Sequence, residues 1–366
     1  MNVALVHDYL NQYGGAERVL ESIMDLFPHA PIYTLLYDKE RTMHRFDHRD
    51  VRTSFLDIGL VRREHRPFIP LMPAALRFMR LSGEYDLVIS DSAGFAKGIR
   101  THHNTFHLSY CHTPLRYVWE ADYYFSNVFL RTLGRRALHA LADWDRRVAL
   151  RPNVLLANSS FIAGKIKRYY GLDVPVVYPA VSSSFYHDAS IEPEDYFLGF
   201  GRFIQYKNFP LILNAFKQLP YRLFLVGGGR ELSSLQRLAR GYEDTVRFIP
   251  FGKSDDEIRL LYARARALIF PQVEDFGLVA AEAAMCGTPV IALRSGGACE
   301  IIRERETGLF FNEPTVQSLR DVITTFHALR FDRAHIAALS RDRFSLQRFQ
   351  ASLLDYIPRE LHPVDL

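Results

Sequence analysis

Cysteine is scarce: Cys111, Cys286 and Cys299 are the only three in 366 residues. An odd number without Cys-x-x-Cys spacing argues against a disulfide frame or a zinc site and points to reduced thiols, read here as core residues. No run approaches the roughly 18 consecutive apolar residues a spanning helix needs. The short apolar start Val3–Val6 gives way to His7-Asp8 with no basic leader, so the chain is expected to be cytoplasmic. Neither sign of charge dominates. Lys and Arg total 45 against 41 Asp and Glu, a net +4, too little for a dedicated nucleic-acid binder. Tandem repeats and low-complexity tracts are missing. No Gly-x-Gly-x-x-Gly follows the first apolar strand, which disfavours a nicotinamide dehydrogenase.

What is present is an ordinary globular composition, 48% hydrophobic and 23% charged with 21 Gly and 18 Pro, in a chain long enough for two domains. Short β-branched runs alternate with helical patterns, the signature of parallel sheets with crossover helices. Candidate strands in the first half are Val3–Val6, Ile32–Leu35, Leu87–Ser90, Phe106–Tyr110, Val154–Ala157 and Val174–Tyr178. In the second half they are Tyr196–Gly199, Leu223–Val226, Val246–Ile249, Ala267–Phe270 and Pro289–Ala292. A polar stretch after Pro179 marks the boundary. The expectation is therefore α/β: a doubly wound domain over 1–180, a second over 181–345, and a last helix within 346–366 packing back on the first.

The densest chemistry lies where candidate strands end. After Ala267–Phe270 come Glu274, Phe276, Gly277, Leu278 and Glu282, a loop leading into a helix. Open α/β sheets bind ligands at such carboxyl ends, and a helix N-terminus offers N–H groups to phosphate. Either glutamate alone reads as an ordinary helix acid. Together with Gly277 and the small Ala281, Ala283 and Ala284, they suit a ligand with hydroxyl donors. After Tyr196–Gly199, Arg202 and Lys207 place two cations in a glycine-bearing loop, suited to a departing diphosphate. In the first half, Gly14-Gly15 after the first strand is weak on its own, since a helix-start turn explains it equally well. His112, ahead of the rigid Thr113-Pro114, follows the fourth strand.

These segments, with Val226-Gly227-Gly228-Gly229, Cys286-Gly287-Thr288-Pro289-Val290, Ser295-Gly296-Gly297 and Thr307-Gly308-Leu309, resemble the GT-B glycosyltransferases of family 4 (group 1). The match is densest from Leu198 to Phe311. The resemblance implies two Rossmann-like domains facing a central cleft and a retaining, metal-independent transferase using a nucleotide-diphosphate sugar. It implies that Glu274 contacts the donor sugar and Glu282 the ribose. Arg202, Lys207 and the amides of Phe276, Gly277 and Leu278 would hold the diphosphate, while the Gly14-Gly15 loop approaches it. Ser109-Tyr110-Cys111-His112-Thr113-Pro114 is similar to a stretch of bacterial mannosyltransferases in the family, with His112 contacting donor sugar or acceptor.

The implied reaction moves mannose from GDP-mannose to a saccharide or polyprenyl-linked acceptor in surface polysaccharide or lipopolysaccharide assembly. A sugar-nucleotide epimerase of similar fold and a non-catalytic sugar-nucleotide-binding protein remain alternatives. Asp143-Trp144-Asp145 has the Asp-x-Asp form of a metal site, but helical spacing in Leu141–Leu150 reads it as solvated acids beside a buried Trp; no metal or other cofactor is expected. Arg62, Arg63 and Arg66 followed by Phe68, Ile69 and Leu71 fit either shallow contact with anionic lipid at the inner membrane face or a loop leading into a core helix with Leu76 and Met79.

Overall fold

The computed structural model describes residues 1–81, 83–120, 135–252 and 254–363. It divides into two compact units, Met1–Tyr178 with Phe349–Leu366, and Pro179–Arg348. Each is built on a six-stranded, wholly parallel sheet.

In the first unit the strands are β1 (Val3–His7), β2 (Ile32–Thr34), β3 (Val51–Thr53), β4 (Leu87–Ser92), β5 (Phe106–Cys111) and β6 (Val154–Ala157), in the order β3-β2-β1-β4-β5-β6. Every residue of β1 and β4 is buried, as helices on both faces of a parallel sheet require. The helix Gly15–Met24 closes the first crossover, burying Val19, Leu20, Ile23 and Met24 at three- and four-residue spacing. Helix Ser160–Tyr170 shows both end signals: Ser159 accepts from the Ile162 amide, and Gly171 takes the left-handed conformation at φ 75°. The last helix, Leu346–Leu354, lays Phe349 edge-on to Tyr110, with ring centroids 5.7 Å apart. Its Gln350 side chain donates to the Ser22 carbonyl at 3.1 Å.

The second unit repeats the winding with β7 (Tyr196–Arg202), β8 (Arg222–Gly228), β9 (Val246–Ile249), β10 (Ala267–Phe270), β11 (Val290–Leu293) and β12 (Gly308–Phe311), ordered β12-β11-β10-β7-β8-β9. Its core is aromatic: Phe197, Phe203, Phe209 and Phe216 are buried together with Leu223, Leu225 and Ile291. The strand order reverses between β1 and β4 in one unit and between β7 and β10 in the other. Strands diverge at such a point and leave a crevice at their carboxyl ends.

Several expectations need correction. Val174–Tyr178 is no strand; its β-branched residues form one isolated bridge, Ala157 to Val176, beyond the sheet's edge. Strands β3 and β12 were not expected. Cys111 and Cys286 are buried, but Cys299 is exposed. Within the helix Arg135–Val148, Asp143 is exposed, whereas Asp145 is fully buried. Lys97, equally buried, pairs with Asp145 at 2.7 Å, and Trp119 and Tyr170 donate to its other oxygen. Trp144 is only half-buried. A carboxylate so fully engaged holds the interior of the unit together, and removing either ion would strand the other in a dry core. Among the described residues no group of three or more His, Cys, Asp or Glu could hold a metal ion, and no helix is long and apolar enough to cross a membrane.

Candidate active site

In the second unit β7 delivers Arg202 to the carboxyl end of the sheet, where it is exposed and, among the described residues, carries no ion pair. Just before it, Gly201 stands at φ 142°, and a Cβ there would lie 3.2 Å from Lys207 Nζ. The missing side chain is the space through which Lys207 runs. A 3₁₀ turn, Gln205–Lys207, and Asn208 in the left-handed region at φ 52° turn the chain into helix Phe209–Phe216. Lys207 is thereby aimed across the switch point, and its Nζ sits 2.9 Å from Glu274 Oε1 in the loop after β10. Both side chains are largely enclosed, at 11% and 19% exposure, which keeps the pair from being screened as a surface pair would be.

Beyond Glu274 the chain buries the Phe276 ring 5.5 Å from that of Phe344. Gly277, at φ 100°, then starts helix Leu278–Met285. The Gly277 and Leu278 amides meet no acceptor among the described residues. Free N–H groups at a helix start favour an anion. Glu282 lies one turn in, 5% exposed, accepting from the Tyr262 hydroxyl at 3.0 Å. It is not an ordinary solvated helix acid.

The remaining glycine motifs serve as backing. Gly297 N–H donates to the Glu274 carbonyl at 2.9 Å, and a Cβ on Gly297 would collide with the Phe276 backbone. Gly228 accepts from the Phe203 amide at 2.8 Å, drawing the Gly227–Gly229 turn against the Arg202 loop. The segments after β7, β8, β10 and β11 therefore converge. Cys286–Val290 and Thr307–Leu309 do not: they lie at the amino ends of β11 and β12, where a Cβ on Gly308 would strike the Val290 carbonyl.

The first unit holds a different arrangement. Sheet register places His7 and Asp91 side by side at the ends of β1 and β4. Asp91 takes His7 Nδ1 at 2.8 Å on one oxygen and His112 Nε2 at 2.6 Å on the other. His7 Nε2 faces Glu17 Oε1 at 3.7 Å, and Glu17 Oε2 accepts the Gly14 amide at 2.7 Å. The side-chain room that Gly14 leaves open is thus closed by Glu17, whose Oε2 would lie 3.3 Å from a Cβ. Gly15 begins the helix that carries Glu17. His7, Glu17 and Asp91 are about 2% exposed or less, while His112 retains 12%. Burial works against charge on His7, but the hydrogen bond to Asp91 and the negative charges of Asp91 and Glu17 outweigh it and push its pKa up to about 10. Burial likewise tends to raise Asp91, yet the two histidines hold it below the ordinary carboxylate range.

Sequence reasoning found His112 and Gly14-Gly15 but missed His7, Glu17 and Asp91, which join them. The available signal was a polar residue ending each of two neighbouring apolar strands.

The stretch from Arg62 takes the second of its two expected forms, leading into helix Met72–Phe78, whose Leu76 is buried with Met79. Ile69 is buried and Phe68 is half-buried against the core, so neither is placed to enter a lipid layer. Arg62 is tied to Asp57 at 2.6 Å. Leu71 remains exposed, and the other exposed large apolar side chains of this region are Phe55, Ile58, Leu60 and Phe78, near Arg63, Arg66, Arg77 and Arg80.

Residues 186–342 match the family model described as glycosyl transferases group 1. That span is most of the second unit, Pro179–Arg348, which is thereby similar to the group 1 glycosyl transferases, and the two wholly parallel sheets match the architecture of GT-B glycosyltransferase structures. Among curated relatives it is 26% identical over 291 residues to human alpha-1,3/1,6-mannosyltransferase ALG2, covering 69% of this chain and 68% of that one. It is 35% identical over 127 residues to the GDP-mannose-dependent alpha-(1-6)-phosphatidylinositol monomannoside mannosyltransferase of Mycobacterium tuberculosis, a span of 32% of either protein. HepE of Anabaena, solved with UDP, shares the fold with a TM-score of 0.75 at 20% identity, over 97% of this chain and 99% of that one.

Proposed function

We propose that the chain transfers mannose from GDP-mannose, with retention of anomeric configuration, to a saccharide or lipid-linked saccharide acceptor in bacterial surface polysaccharide assembly. The observation that carries this reading is the enclosed Lys207–Glu274 pair beside the free amides of Gly277 and Leu278. A diphosphate meets Lys207, Arg202 and the helix start, while Glu274 and Glu282 accept hydrogen bonds from sugar and ribose hydroxyls. As the bond to the anomeric carbon breaks, charge grows on the leaving phosphate. Cations already fixed there stabilise it without reorganisation. Those cations and the helix start provide positive charge that a metal ion would otherwise bring, which supports metal-independent transfer. Attack from the face of the leaving phosphate needs no enzyme nucleophile and gives retention.

The mannosyltransferase relatives favour GDP-mannose, and the UDP complex of HepE makes a uridine donor the comparison to run. Purified chain is incubated with GDP-mannose, UDP-glucose and UDP-galactose over saccharide and polyprenyl-linked acceptors, with and without EDTA. Product configuration is read by NMR. An α-linked mannoside formed equally in EDTA is the expected result; donor epimerised without acceptor, or binding without turnover, would overturn it.

For lipid-linked acceptors, the exposed Phe55, Ile58, Leu60, Leu71 and Phe78 among arginines suit an anionic membrane surface at the cytoplasmic face. Phe55→Ser with Phe78→Ser weakens binding to vesicles containing anionic lipid if this contact is made and leaves it unchanged if it is not.

A further inference from the structure

The four-residue chain in the first unit contains three groups that the proposed transfer does not itself use. Glu17, His7 and Asp91 are almost wholly enclosed, and ionisable groups are costly to bury unless each finds a partner. Here each does, in a line running from the Gly14 amide to the His112 ring. The ends of that line are the least buried parts: Gly14 is half-buried and His112 is 12% exposed. Other ionisable groups surround it without joining it. Asp8 on the β1 side is occupied by the amides of Ala93 and Phe95 at 2.7 and 2.8 Å, and the Tyr110 hydroxyl on β5 donates to the Val177 carbonyl at 2.8 Å. The Cys111 thiol is buried.

Imidazole has two unlike nitrogens, and the partner of one decides which carries the proton. Asp91 is ionised and accepts only, so the His112 nitrogen facing it at 2.6 Å, Nε2, carries hydrogen. When the ring is neutral, its lone pair is then on Nδ1, which no described residue engages.

We propose that Asp91 is a positioning residue for His112, holding Nε2–H so that Nδ1 accepts a hydrogen bond from a substrate hydroxyl, while His7 and Glu17 brace Asp91 and tie it to the Gly14 turn. No bond to the substrate is made or broken by Asp91. Its role is to fix tautomer and ring plane, and small misplacements of a contacting group cost about a hundredfold in rate. The inference rests on the glycosyltransferase reading for the identity of the hydroxyl, but its first test does not require turnover.

That test is long-range nitrogen–proton NMR of the histidine rings in the whole chain, with His112 assigned through His112→Gln. The expected spectrum shows neutral His112 protonated on Nε2 in the wild type, with that preference lost in Asp91→Asn. Neutral wild-type His112 protonated on Nδ1 overturns the proposal even if the variant does not fold. The second test is a double-mutant cycle on transfer. Asp91→Asn lowers kcat about a hundredfold with donor KM little changed, and costs nothing further in the His112→Ala background. An equal loss in both backgrounds would mean Asp91 acts through something other than His112. If no donor supports transfer, the glycosyltransferase reading fails while the tautomer result stands on its own.

Discussion

The two units share one winding order yet equip their switch points in opposite ways. Between β7 and β10 the second unit sets one enclosed ion pair, Lys207–Glu274, beside an exposed Arg202 and unoccupied amides. Between β1 and β4 the first unit closes its polar groups on one another, from Glu17 through His7 and Asp91 to His112. The first arrangement has charge to offer a ligand; the second has most of its charge already spoken for and offers one ring nitrogen. Equal topology therefore supplies the place, and the residues at the strand ends decide whether it receives an anion or orients a neutral group.

The sharpest way to break the comparison is to remove charge from the open site. Lys207→Ala and Glu274→Ala each lower turnover by about a hundred- to a thousandfold, the usual loss for one preorganised electrostatic contact. Circular dichroism and Tm should stay near wild type, because neither side chain is part of the hydrophobic core. Near-normal kcat in either folded variant would move the chemistry elsewhere.

A structural change to the same unit tests its backing. Gly297→Ala forces a methyl into the Phe276 backbone, so the loop bearing Glu274 must shift. Stability falls by about 2–3 kcal/mol in a denaturant titration, as for other overpacked sites, and activity falls with it. Wild-type stability would show that the loop yields freely.

The closed chain of the first unit makes a gentler prediction, through pH. His7 has an ordinary value of 6.5 and is pushed up to about 10 in the fold. The folded state thus holds a proton that the unfolded chain releases. This contribution is present in full below pH 6.5 and is lost as pH rises through about 10. Tm of the wild type should decline over that window, and that of His7→Gln should decline less. Parallel curves would show that His7 is neutral in the fold.

Much of this was legible because the strong signals are local. Apolar runs such as Val3–Val6 and Ala267–Phe270 read directly as buried parallel strands, and Gly277 followed by small residues read as a turn opening a helix. Strand β3, three half-buried or exposed residues around Arg52, has no apolar run to detect. Val174–Tyr178 has such a run but no neighbouring strand beyond β6, so propensity misled. The fate of Asp145 was invisible because its partners Lys97, Trp119 and Tyr170 come from three distant segments. For the same reason His7 and Asp91 could be named as polar strand ends but not as partners: their pairing depends on register between strands 84 residues apart.

The central claim is that the open site of the second unit, rather than the closed chain of the first, carries the nucleoside diphosphate. Isothermal titration of GDP and UDP into wild type, Lys207→Ala and His112→Ala tests it without any acceptor. The account predicts that the preferred nucleotide binds wild type and His112→Ala with closely similar Kd, while Lys207→Ala loses about tenfold or more, as expected for a charge-assisted contact. Unchanged affinity in Lys207→Ala, with affinity lost in His112→Ala, would contradict it.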